Sequence, residues 1–233
     1  MPPPTDADLR SHRAADLPAH PEDRWFQPAR GAGDLVPGGS LLFHYRDRAE
    51  PPTRHEPRGG TCIHGHFNGA RGIGAWQYYP GVTQHITFLR DPFDRFLSQW
   101  FYLNKRKRAG YPEPDLTDDP SFDTWLHRRA EAQAQGRNPY SFIWQMPLPP
   151  GTVDPDTLFA RHFVFVGIME RYAASLDALA TALGKPRLPP PHSNATERDS
   201  DFTSWRSAYE KLFPDEYELY EKGRIHNAAA IAG

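Results

Sequence analysis

Arg90 stands where a strand gives way to a helix. The segment HITFLRDPFDRFLSQW, residues 85–100, opens with a short alternating run of β-formers. It continues with Asp91-Pro92, an N-cap followed by proline at the first helical position. A helix N-terminus carries unsatisfied backbone N–H groups and a partial positive charge, so an anion is stable there. A guanidinium beside it can hold a phosphate through two hydrogen bonds. Ser98, two turns along, adds a hydroxyl if its helix faces the ligand. The competing reading is a surface ion pair of Arg90 with Asp91 or Asp94, which contributes little.

Three further stretches carry groups that could do chemistry. In CIHGHFNGAR, residues 62–71, His64 and His66 project to the same side of an extended segment. One of them can act as a general base, because imidazole titrates near neutral pH. Two structural histidines in a turn, or half of a metal site, are the alternatives. The polar loop HSNATERD, residues 192–199, offers hydroxyl and amide donors. It either closes over a nucleotide or leads into a helix capped by Ser200. The basic run NKRKR, residues 104–108, with Arg128 and Arg129, reads as a solvated turn or as a rim that attracts an acidic substrate. The aromatics of WQYY and SFIWQM read as core or as a platform for a sugar ring.

The elements that must position these groups follow from periodicity. Phe93, Phe96, Leu97, Trp100 and Phe101 recur at helical spacing, so residues 92–104 form a helix buried on one face. The run HFVFVGIMERYAASLDALATALG repeats the unit, with a strand at 162–167 and a helix that ends at Gly184. Further helices are expected over SFDTWLHRRAEAQAQ, capped by Ser121 or Asp119, and over NPYSFIWQM. Two short ones, separated by Pro214, are expected in 201–223. TCIHGHF reads as a short strand or a strand-to-loop segment. Strand–helix units with intervening helices indicate an α/β domain with a mostly parallel sheet, whose ligands bind at the carboxyl ends of strands.

Residues 1–60 differ in composition. They hold ten of the 25 prolines, which argues for a largely irregular arm with one strand near Leu41–Tyr45. The folded domain is expected over 61–233. The net charge of −2 argues against a general nucleic-acid binder. The single cysteine, Cys62, excludes an intrachain disulfide. No apolar run reaches the roughly 18 residues that a membrane helix needs, and MPPPTDADLR lacks an apolar signal core. These features set a cytoplasmic location as the expectation.

Taken in order, the motifs resemble a known family. HITFLRDPFDRFLSQWFYL is similar to the 3′-phosphate-binding strand–helix of the carbohydrate sulfotransferases of family 2, the group that includes heparan sulfate 2-O-sulfotransferase. CIHGHF resembles the family's His-Gly-His segment, and FVFVGIMERYAASLDALATALG its later Val-Gly-x-x-Glu strand–helix. HSNATERD and PDEYELYEKG stand where the family has its cofactor loop and closing helix. The resemblance covers about residues 61–223.

The resemblance implies a P-loop-like sheet flanked by helices. The donor would be 3′-phosphoadenosine 5′-phosphosulfate, giving adenosine 3′,5′-bisphosphate, and the acceptor a hydroxyl of a carbohydrate or polysaccharide. Arg90 and Ser98 would hold the 3′-phosphate. His66 would be the base, with His64 beside it, and Asn194 and Thr196 would fall in the cofactor loop. No metal is required. One part of the pattern is missing. Residues 1–60 contain no Pro-Lys-Thr-type loop for the 5′-phosphosulfate, and the first lysine is Lys105. The N-terminal strand–loop unit is therefore read as absent or degenerate. The alternative is an inactive relative or fragment that binds a nucleotide or an acidic glycan.

Overall fold

Two pairs of parallel strands organise the chain. The structure, a computed structural model, describes residues 41–44, 62–65, 67–116, 121–187 and 202–233. In the first pair, β1 (Leu41–His44) runs alongside β2 (Cys62–Gly65), with Leu41 opposite Cys62 and His44 opposite Gly65. A 3-10 turn at Gly69–Arg71 and a single helical turn, α1 (Ala75–Tyr78), follow.

The second pair carries the strand–helix unit. β3 (His85–Leu89) leads into α2 (Pro92–Arg108), and α3 (Phe122–Ala134) comes next. α4 (Pro155–His162) then runs directly into β4 (Phe163–Ile168), which pairs parallel with β3. A 3-10 turn at Met169–Arg171 leads to α5 (Tyr172–Ala182), and α6 (Thr203–Leu212) and α7 (Pro214–Ala232) complete the chain. The molecule is thus mixed α/β, with a small parallel pair flanked by helices. Because β3 and β4 run in the same direction, both of their C-terminal ends emerge on one side.

Two cores hold these elements. Leu89, Val166 and Ile168 of the strand pair pack with Leu158 and Phe159 of α4 and Leu219 of α7. Phe93, Phe96 and Leu97 of α2 pack with Trp125 of α3 and with Tyr209 and Phe213 around α6. Glycine sets the closest approaches. A Cβ on Gly223 of α7 would lie 2.4 Å from Leu89 Cδ1, and one on Gly167 of β4 would lie 2.2 Å from the Phe88 ring. A buried polar bridge adds direction. Asn227 Nδ2 donates to Val166 O at 2.8 Å and to Ser175 Oγ at 3.1 Å, and Ser175 Oγ accepts from Ile168 N at 3.0 Å.

Several expectations shift. α2 runs to Arg108 rather than 104, so the basic run is its last turn, where cations oppose the helix dipole favourably. NPYSFIWQM yields only a 3-10 turn, Phe142–Gln145. The final helix is 19 residues long, not short. α6 starts at Thr203 after Phe202, which gives no side-chain cap, and Ser200 lies outside the described residues. α4 was not anticipated. Ser121 does cap α3, accepting from Thr124 N at 3.2 Å. No described helix is long and apolar enough to cross a membrane.

Candidate functional site

Arg90 follows the last residue of β3, and Asp91 caps α2 by accepting from Asp94 N at 2.9 Å. Arg90 Nη1 donates to Ser98 Oγ at 2.9 Å. Both residues are half-buried. The bond joins the guanidinium to the helix that starts beside it. A hydroxyl that accepts retains its own proton for donation. A cation and a hydroxyl therefore stand side by side at the mouth of the parallel pair.

The two aspartates pair elsewhere. Arg206 of α6 donates to Asp91 Oδ2 at 2.8 Å and to Asp94 Oδ1 at 3.2 Å. Its guanidinium lies 4.9 Å from the centre of the Phe93 ring, and Tyr217 Oη accepts from Nη1 at 3.3 Å. Burial, and then the Asp91 charge, push the Tyr217 phenol up to about 12. The end of β4 closes onto the same place. Glu170 Oε1 accepts from Asp91 N at 2.9 Å, and Glu170 Oε2 accepts from Tyr220 Oη at 2.9 Å. Burial and the Glu170 bond raise the Tyr220 phenol well above its ordinary range.

His64 lies on β2 opposite Phe43. His66, Asn194 and Thr196 lie outside the described residues. Asn68 anchors the turn that follows. Asn68, 6% exposed, exchanges backbone hydrogen bonds with Ile73 at 2.9 and 3.1 Å. Its side chain accepts from Ala70 N at 3.0 Å and donates to Pro139 O at 2.7 Å. The next carbonyl, Tyr140 O, accepts from Arg95 Nη2 of α2. Asn68, through the 139–140 backbone, and the Arg90–Ser98 pair are thereby tied to one helix, α2.

Arg95 is itself held by a buried carboxylate. Its guanidinium lies 4.0 Å from the centre of the Phe142 ring, and Nη2 is 3.2 Å from Glu216 Oε2. Glu216, 2% exposed, also accepts from Phe142 N at 3.0 Å and from Ser141 Oγ. Burial raises its carboxyl above the usual range, although Arg95 and these donors favour the charge.

Part of the basic run serves structure. Arg106 pairs with Glu113, Lys107 Nζ donates to Leu116 O at 2.6 Å, and Arg129 pairs with Asp115 at 3.0 Å. Lys105 and Arg108 are exposed. Sequence reasoning did not single out Arg206, Tyr220, Glu216 or Asn68. Glu170 was visible only within the Val-Gly-x-x-Glu stretch. Comparison with protein-family models, curated proteins and solved structures found no match to this chain.

Proposed function

We propose that the chain binds 3′-phosphoadenosine 5′-phosphosulfate and transfers its sulfuryl group to a carbohydrate hydroxyl, on a P-loop-like scaffold. The observation that carries this reading is the 2.9 Å bond between Arg90 and Ser98 at the end of β3. A guanidinium joined to a hydroxyl beside a helix N-terminus is the donor set a phosphate needs. Arg90 and Ser98 hold the 3′-phosphate, and Asn194 and Thr196 contribute polar contacts from their loop. The nucleotide supplies the sulfuryl group. His66 takes the proton that the acceptor hydroxyl gives up, with His64 next to it in the segment.

A second reading is favoured by the absence of a Pro-Lys-Thr-type loop from residues 1–60. In it the chain binds an adenosine bisphosphate or an acidic glycan without turnover.

The test is calorimetric titration with adenosine 3′,5′-bisphosphate of the native chain and of Arg90→Ala. The variant should bind more weakly by about 1.5–3 kcal/mol, the scale of a charged hydrogen bond. Equal affinities, or no binding by the native chain, would overturn the nucleotide site. Radiolabelled sulfuryl transfer to a polysaccharide then separates the enzyme from the binder.

A further inference from the structure

Two tryptophans sit outside both cores. Trp76 and Trp144 are each half-buried, and among the described residues neither packs in the two hydrophobic clusters. They belong to adjoining pieces of chain. The Gly69–Arg71 turn packs on the Phe142–Gln145 turn, and the bond from Asn68 Nδ2 to Pro139 O ties the two segments. The Trp76 ring lies on Gly69 and Gly74, where an added Cβ would come within 2.0 and 2.7 Å of its carbons. Trp144 is carried by the turn that holds Phe142, which is 3% exposed. The Trp76 indole thus sits on bare backbone and remains partly exposed.

Each tryptophan is followed by an exposed glutamine, Gln77 and Gln145. In both, the amide oxygen accepts from a donor of the protein. Gln77 Oε1 accepts from Gly74 N at 2.6 Å, and Gln145 Oε1 accepts from Arg95 Nη1 at 3.5 Å. That leaves the –NH2 end of each amide as a hydrogen-bond donor. Flat aromatic surfaces next to oriented amides match a ring that has an apolar C–H face and a hydroxylated rim.

From this arrangement we infer that Trp76 and Trp144, with Gln77 and Gln145, form a binding platform for a pyranose ring. Under the function proposed above, which this inference deepens, the platform holds the acceptor sugar. The indole faces take the C–H face of the ring, and the amides donate to its hydroxyls.

Saturation-transfer NMR with three hexasaccharides tests this: cellohexaose, chitohexaose and desulfated heparin hexasaccharide. The expected result is saturation of ring C–H protons in at least one of them. Binding should weaken about tenfold, the size of one aromatic contact, in Trp76→Leu and in Trp144→Leu. Trp76→Phe and Trp144→Phe should remain within about threefold of the native chain, since a ring is kept. Leucine holds the apolar packing, and melting temperatures check the fold of every variant. Should one leucine variant fail to fold, the other decides. No saturation in any of the three sugars overturns the platform, and so does native affinity in the folded leucine variants. Adenosine bisphosphate titration of the same samples is a separate readout. Sugar binding without nucleotide binding retains the platform and removes the transferase reading.

Discussion

Asp91 donates its backbone N–H to Glu170 Oε1 at 2.9 Å, across 79 residues of chain. Parallel pairing of β3 and β4 makes this meeting possible, because both strands end on the same side. The carboxylate satisfies an N-terminal amide of α2 and complements the helix dipole. Glu170→Ala should lower stability by about 1 kcal/mol, the net size of a solvent-accessible hydrogen bond. Glu170→Gln should lose less, since its carbonyl can still accept. Urea unfolding of both variants checks this, and equal losses would assign the effect to charge alone.

The proposed roles of His66 and Ser98 separate cleanly in kinetics. His66→Ala should abolish sulfuryl transfer and leave adenosine bisphosphate affinity nearly unchanged. Ser98→Ala should weaken that affinity by about 1.5–3 kcal/mol, the value of one hydrogen bond to a charged group. Loss of nucleotide binding in His66→Ala would make that histidine structural.

Glu216 joins α7, the 141–142 backbone and Arg95 of α2 in a buried cluster. Removing one partner of such a pair strands the other charge. Glu216→Ala should cost about 3–5 kcal/mol, measured by chemical denaturation. Glu216→Gln should cost less, because it keeps the acceptor for Phe142 N and sheds the charge whose burial is opposed. A change below about 0.5 kcal/mol in the alanine variant would mean the cluster is not coupled to folding.

His85 gives the pH dependence a direction. Burial is the main cause that lowers its pKa, the Val82 backbone opposes this, and His162 adds to it. The unfolded chain therefore takes up a proton near pH 6.5 that the folded chain resists. This contribution is full above the unfolded value and is lost as pH falls through it toward the lowered folded value. His85→Gln should flatten the fall in melting temperature between about pH 7.5 and 5.5. An unchanged slope would place the dependence on other groups.

Local signals were readable in the chain. The cap Asp91-Pro92 and the stripe Phe93, Phe96, Leu97 depend on neighbours within two turns, so they foretold α2 and its direction. The Arg90–Ser98 contact spans eight residues and follows from that same helix. α4 had its own marks, Asp154 as cap and Pro155 at the first position, but its eight residues were too few for a clear period. Folding decided the partners. Asp91 and Asp94 turn to Arg206 rather than Arg90 because α6 brings a guanidinium over Phe93. Asn68 reaches Pro139 across 71 residues, and Trp76 stays at the surface while Phe142 is buried. Such choices rest on which elements pack together. Packing is a long-range compromise between burial and hydrogen bonding, and it leaves no period in the residues on either side.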